Sequence, residues 1–118
     1  MGKFKLLGGN VYIQVSAHLT ILEIEPFRKA AAECSRLVVQ NEPRTNIYYE
    51  WFLSGDQCEV REEYMDSSAF LEHLRNVEKP LQELLQHSEL NSVVLYGEPP
   101  KELMAALEGM PVKVYSPL

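Results

Sequence analysis

Polar and apolar residues alternate with a period of two near the start of the chain. Apolar residues occupy positions 11, 13, 15, 17 and 19, and mostly polar residues occupy the even positions between them. This spacing predicts a β-strand over residues 11–19. A helix then opens at Glu25-Pro26, because proline suits the first helical turn. Its apolar residues recur at helical spacing until the turn sequence Asn41-Glu42-Pro43, which predicts an end near Asn41.

The remaining pattern predicts two further helical regions and four further strands. Residues 47–54 and 58–64 are strands joined by a short link that contains Gly55, as in a hairpin. Asp66 is a suitable N-cap for a helix that begins at Ser67, and Pro80 is expected to kink or restart that helix. A fourth strand covers residues 90–96, and a short helix (101–107) and a fifth strand (112–115) follow it.

This element order is that of an α+β protein with a ferredoxin-like βαββαβ fold. It predicts one domain over residues 1–118, with an antiparallel sheet in a core of about 11–97 and a C-terminal extension over 98–118. Two helices cover only one face of such a sheet, yet residues 48–53 carry large apolar groups on both faces. We therefore expect a second copy of the chain on the other face, which makes a homodimer.

Composition excludes several other classes of protein. The chain has 118 residues, 46% hydrophobic residues and a net charge of −6, which suits one soluble domain and disfavours a nucleic-acid partner. No apolar run approaches the roughly 20 residues of a membrane span. Two cysteines, Cys34 and Cys58, make no disulfide framework and predict a reduced, cytoplasmic setting. The three histidines and two cysteines show no metal-ligand spacing.

Three stretches resemble the antibiotic biosynthesis monooxygenase family of dimeric α/β barrels, and more closely its quinol monooxygenase branch. They are NEPRTNIYYEWF (41–52), EEYMDSSAFLEHL (62–74) and LYGEP (95–99). The second contains the pattern D-S-x-A-x-x-x-H, which ends at His73. The chain departs from the family at Arg44, where the family usually has glycine. Glycine allows a positive φ in the turn, so arginine implies a slightly different turn here. In related chains the tail after this core can cross to the partner subunit, and the same is expected here.

The resemblance implies an oxygenase that oxidises phenolic or quinol substrates with molecular oxygen and needs no cofactor. His73 is the catalytic candidate, as a proton acceptor or a hydrogen-bond donor to the ligand. Tyr49 and Trp51 share one face of a strand and, with Tyr64, are expected to line a flat slot for an aromatic ligand. Packing in the core or the dimer interface is the alternative for these aromatic residues, and a structural hydrogen bond is the alternative for His73.

Two further residues are candidates for ligand binding, each with an alternative. His18 ends the polar face of the first strand, where it would line a pocket or a polar dimer interface. Asn46 would orient a ligand oxygen, or serve only as a turn residue. Glu59, Glu62 and Glu63 are expected on a solvated or interface-paired strand surface.

Two alternative functions follow from the same pattern. Haem degradation ranks low, because the superfamily's haem-binding Asn, Trp and His positions correspond here to Ala17, Tyr64 and a helix without histidine before His87. A non-enzymatic dimeric protein that binds a small molecule, or acts in a stress response, stays open. The two leading hypotheses differ in whether His73 presents a free nitrogen to a cavity of a few hundred Å³.

Overall fold

The computed structural model describes residues 12–118, so Val11 of the first predicted strand lies outside the described residues. Five strands form one sheet: β1 (Ile13–Ile21), β2 (Asn46–Ser54), β3 (Gln57–Tyr64), β4 (Ser88–Tyr96) and β5 (Val112–Tyr115). Their spatial order is β2-β3-β1-β4-β5. The first four strands pair antiparallel, and β5 adds a parallel edge to β4. The predicted ferredoxin-like fold is confirmed, with the extension contributing the fifth strand.

Four helices accompany the sheet: α1 (Ile24–Asn41), α2 (Ser67–Asn76), α3 (Glu78–Gln86) and α4 (Lys101–Ala106). The Asp66 carboxylate accepts a hydrogen bond from the Ala69 backbone N–H at 2.8 Å, so the predicted N-cap is confirmed. The predicted break in the second helical region occurs at Val77 rather than at Pro80. Pro80 lies in the first turn of α3, where a missing N–H costs no helical hydrogen bond. Within residues 12–118, no helix has the length and apolarity needed to cross a membrane.

The core lies between the helices and one face of the sheet, which we call the inner face. Strand alternation places Val15 and Leu19 of β1 there, together with Val60 of β3 and Leu95 of β4, all buried. Phe27 of α1 and Leu84 of α3 close the other side of this core. Each strand therefore sends every second side chain towards the helices.

On the opposite face of the sheet, the outer face, none of the helices within residues 12–118 packs, and this face carries exposed aromatic side chains. Tyr12, Tyr48, Phe52, Tyr96 and Tyr115 are each 42–47% exposed. Tyr96 and Tyr115 stack with their ring centroids 5.6 Å apart. The apolar surplus predicted for this face is therefore present in the single chain.

The C-terminal extension packs against its own chain. Leu103 of α4 is fully buried and Leu107 nearly so, both in the core beneath β1 and β4. The chain enters the extension through Gly97, whose φ of 142° is open to glycine but rarely to other residues. A Cβ at this position would lie 3.0 Å from the Tyr12 carbonyl oxygen, so side chains are excluded there by contact as well.

Candidate functional site

A buried histidine–carboxylate pair lies between the ends of α1 and α2. His73 projects inward from the last turns of α2, and Glu42 follows the final residue of α1. His73 Nδ1 is 3.0 and 3.1 Å from the two oxygens of Glu42, and both side chains are at most 5% exposed. Because a carboxylate only accepts, the proton lies on Nδ1 and Nε2 points the other way.

Glu42 is held by amide groups as well as by His73. Asn76 Nδ2 donates to Glu42 Oε2 at 2.7 Å, and Asn46 Nδ2 donates to Glu42 Oε1 at 3.2 Å. Burial alone would raise the pKa of Glu42, but hydrogen bonds from His73, Asn76 and Asn46 outweigh it and hold this pKa below its usual value. Glu42 is therefore an ionised carboxylate that orients the imidazole of His73.

A second buried carboxyl group faces the other nitrogen of His73. Glu62 projects from the inner face of β3, and its Oε1 lies 3.5 Å from His73 Nε2, at the outer limit of a hydrogen bond. The Tyr64 hydroxyl donates to the same oxygen. Burial raises the pKa of Glu62, and the nearby His73 and Tyr64 offset this only in part. Glu62 therefore favours the protonated form more than an exposed glutamate does.

Tyr49 and Trp51 form an aromatic wall beside His73 on the inner face of β2. Their rings meet edge to face with centroids 5.7 Å apart, and the Tyr49 ring is 5.2 Å from His73. Trp51 Nε1 donates to Ser35 Oγ at 3.1 Å, and its ring packs edge-on against Phe27. The indole N–H is thus satisfied, and the wall presents apolar ring surface.

These groups border a narrow cavity between the sheet and the helices. The space not occupied by atoms is about 630 Å³, a volume that includes open solvent at the mouth of the cavity. The part of it that the centre of a water molecule can occupy is about 80 Å³. Among the described residues, the ionisable side chains on its wall are those of Glu62, His73 and Tyr49. The apolar remainder of the lining is Val15, Ala17, Leu19, Trp51, Val60, Phe70, Leu74, Val77, Leu81, Leu84, Leu85, Leu90, Val93, Leu107 and Met110.

The structure brings some of the predicted site residues together and separates others. His73, Tyr49 and Trp51 line the cavity. Tyr64 is fully buried behind Glu62 and stacks on Phe70, so it contacts the site without lining it. Asn46 reaches the cluster through Glu42 rather than through the cavity.

The prediction that His18 lines the pocket is wrong in this chain. Strand alternation puts its side chain on the outer face, where Nε2 is 3.1 Å from Ser16 Oγ and 3.7 Å from Glu59 Oε2. His87 is also outside the cavity and pairs with Glu23 at 2.8 Å. Neither histidine approaches His73 and its carboxylates.

Two residues of the site, Glu42 and Glu62, are buried partners of His73, which their sequence pattern does not indicate. Glu42 is part of a predicted turn, and only the meeting of α1 with α2 makes it a buried partner. Glu62 is expected on a polar strand surface, which is wrong because its side chain is 9% exposed on the inner face. The signal for Glu62 is present in the sequence, since it shares the period-two face of Val60 and the buried Tyr64.

The two cysteines do not supply a nucleophile to this site. Burial raises the pKa of Cys34 to about 12 and that of Cys58 to about 11, so both remain thiols at neutral pH. Among residues 12–118, no group of three or more His, Cys, Asp or Glu side chains is placed to hold a metal ion. Glu42 and Glu62 lie on opposite sides of the His73 ring, so their oxygens do not converge on one point.

The fold and this buried site together define a small ferredoxin-like α+β protein with a histidine–carboxylate cluster in an apolar slot. This is the fold of the antibiotic biosynthesis monooxygenases. One solved structure with it is a protein from Caulobacter crescentus CB15 assigned to those monooxygenases, with 20% identity, a TM-score of 0.62, and coverage of 71% of this chain and 84% of that chain. No protein-family model matches the chain, and neither does the sequence of any curated protein.

Two other solved structures share the fold at similarly low identity. SnoaB, a cofactor-independent oxygenase from Streptomyces nogalater, is 10% identical with a TM-score of 0.63, covering 76% of this chain and 95% of its own. MupZ from Pseudomonas fluorescens is 20% identical with a TM-score of 0.68. Its match covers 91% of this chain and 90% of MupZ, a share that residues 1–97 alone do not reach. MupZ therefore also resembles part of the C-terminal extension.

Proposed function

We propose that this chain is a monooxygenase that oxidises a small quinol or polyphenol with molecular oxygen and without a cofactor. The observation that carries the proposal is His73, whose Nδ1 is bound by an ionised Glu42 while Nε2 faces an otherwise apolar slot. A histidine held in this way keeps one tautomer and offers its second nitrogen to a ligand. The fold that the chain shares with SnoaB is a second, weaker support.

The chemistry follows from the polarity of the slot. His73 Nε2 accepts the proton of a phenolic hydroxyl, and Glu42 stabilises the imidazolium that results. The phenolate is electron-rich and transfers an electron to oxygen, and the two radicals that result combine in a C–O bond to give a hydroperoxide. Its O–O bond then breaks with loss of water, for which the quinol supplies both hydrogens and the electrons, and the product is a hydroxyquinone. Tyr49 and Trp51 supply flat ring surface for the aromatic substrate.

Oxygen uptake with a panel of quinols tests this proposal. We expect the wild-type protein to consume oxygen with at least one quinol, and His73→Ala to lower the rate by about 100-fold or more, since a positioned general base contributes roughly 10²–10⁴. His87→Ala is the matched control, because His87 lies outside the cavity. The absence of uptake by the wild-type protein with every quinol would contradict the oxygenase.

The size of the cavity favours a second candidate, a dimeric protein that binds a small molecule without chemistry or acts in a stress response. The centre of a water molecule reaches only about 80 Å³, so an aromatic ligand requires leucine side chains such as Leu74 and Leu81 to move. Binding of quinols in a calorimeter together with no oxygen uptake would support this candidate over the enzyme.

We also propose that the functional unit is a homodimer joined through the outer face of the sheet. Burial of Tyr48, Phe52 and Tyr96 against a second copy would remove exposed aromatic surface from water. We expect native mass spectrometry to show twice the 13.5 kDa mass of the chain, and Phe52→Lys to shift the population towards monomer. Val39→Lys, on the exposed side of α1, is the control and should leave the dimer intact. A monomeric wild-type protein at micromolar concentration would contradict this arrangement.

A further inference from the structure

The cluster around His73 holds one acid and one base at the same end of an apolar slot. His73 Nε2 and Glu62 Oε1 are 3.5 Å apart, so a single proton at this end of the slot can reside on either group. With the proton on Glu62, the imidazole is the base and the carboxyl group is the acid; with the proton on His73, these roles are reversed. Either arrangement supplies both functions within reach of one ligand atom.

The other members of the cluster hold this pair in place. Glu42 accepts from Nδ1 and so directs Nε2 towards Glu62, while the Tyr64 hydroxyl donates to Glu62 Oε1 and orients the carboxyl group. Burial raises the pKa of Glu62, which favours the carboxylic acid form of this residue. Such a pair transfers protons only, so its action changes no oxidation state.

The wall of the slot indicates what kind of molecule this pair would meet. Away from Glu62, His73 and Tyr49 the lining is apolar, and the rings of Tyr49 and Trp51 are flat. A matching ligand is an apolar aromatic molecule with a single oxygen at one end. A ketone beside a C–H bond places that oxygen near Glu62 and the C–H near His73.

We propose that His73 and Glu62 act together as base and acid on an enolisable aromatic ketone, which gives the site a redox-neutral proton-transfer activity. His73 Nε2 removes a proton from the carbon next to the carbonyl, and the C–H electron pair forms the C=C bond. The carbonyl π electrons move to oxygen, which takes the proton of Glu62. The enol then leaves, and the proton on His73 returns to Glu62 across their short separation. No electron acceptor is consumed.

This activity uses the same slot as the proposed oxygenase, but its test excludes oxygen, so the two can fail separately. The probe is 1-tetralone, incubated with the protein in D2O under argon, with loss of the C2 proton signal followed by NMR. We expect the wild-type protein to accelerate the exchange over buffer, and Glu62→Gln to lower the catalysed rate by about 100-fold. Glu63→Gln makes the same substitution at the adjacent residue, whose side chain lies on the outer face, and should match the wild type.

Glu62→Gln tests the acid without disturbing the packing, because glutamine has the same shape and its side-chain oxygen still accepts the hydrogen bond from the Tyr64 hydroxyl. Its thermal unfolding temperature should therefore be no lower than that of the wild type, and Glu62→Asp, which keeps an acid at a shorter reach, should retain part of the exchange rate. A catalysed rate that Glu62→Gln leaves unchanged would overturn the proposal. So would exchange no faster than buffer for 1-tetralone and also for the smaller ketone 1-indanone.

Discussion

Replacing Glu42 with alanine is expected to lower the free energy of unfolding by about 3–5 kcal/mol, as for other buried pairs that lose one partner. The carboxylate is the shared acceptor for His73 Nδ1–H and for the side-chain amides of Asn76 and Asn46. Alanine leaves these donors buried without it, and each such group costs free energy because water cannot replace the lost partner. Urea unfolding followed by circular dichroism at pH 7 measures the difference.

Glu42→Gln is the matched control for this experiment. Glutamine keeps the volume and one acceptor oxygen, so we expect a smaller loss of stability than with alanine. Equal stability of the alanine variant and the wild type would contradict the role of Glu42 as the centre of the network.

The contribution of Glu42 to the free energy of unfolding should fall as the solution becomes acidic. The pKa of Glu42 in the folded chain is lower than the usual glutamate value of 4.5, so folding favours the ionised form. The stabilisation is therefore complete above about pH 4.5 and is lost as the pH falls through the lower folded pKa. The stability difference between the wild type and Glu42→Ala should shrink accordingly in acid. Comparison in a Glu62→Gln background removes the opposite effect of Glu62, whose raised pKa destabilises the fold as the pH rises above 4.5.

Replacing Leu103 with alanine is expected to lower the free energy of unfolding by about 3 kcal/mol. Leu103 is fully buried and anchors the short helix α4 in the core beneath β1 and β4. Truncation leaves a space at the point where a helix of only six residues packs the extension on the core. Because Leu107 and Met110 of the same extension line the cavity, loosening it should also widen access to His73.

Thermal unfolding and limited proteolysis both report on this change. We expect cleavage within residues 98–118 to become faster in Leu103→Ala, since protease sensitivity follows local opening. Met104→Ala is the control, because Met104 is the next residue in the helix and is 36% exposed. Equal melting temperatures of the two variants would contradict the anchoring role of Leu103.

The fold was largely predictable because it follows from local patterns. Period-two alternation marks β1, and the same rule places Tyr49 and Trp51 on one face of β2. Asp66 and Gly55 mark an N-cap and a hairpin turn through their own backbone preferences. The packing of the extension on the core of its own chain was not predictable in this way. The sequence pattern of a short helix and strand indicates their secondary structure but not the surface that they contact.

The candidate site was predictable only in part. His73 and the two aromatic residues of β2 follow from a resemblance and from strand alternation. The polar face of the first strand predicts His18 in a pocket or in a polar dimer interface, and alternation excludes the pocket because it places His18 opposite Leu19, which is buried on the inner face. Glu62 was missed because three glutamates within five residues indicate a solvated surface, yet alternation sends Glu62 inward and Glu63 outward.

The sequence by itself determined the element order, the period of each strand and therefore the face on which each strand side chain lies. The tertiary structure alone decided that Glu42 and Glu62 approach His73 from opposite sides, at 3.0 and 3.5 Å. These three residues come from the end of α1, from β3 and from α2, and their distances depend on how helices pack on the sheet. Local propensity acts over a few neighbouring residues, whereas the protonation of this cluster depends on burial and on charges separated by 11 to 31 positions in the chain.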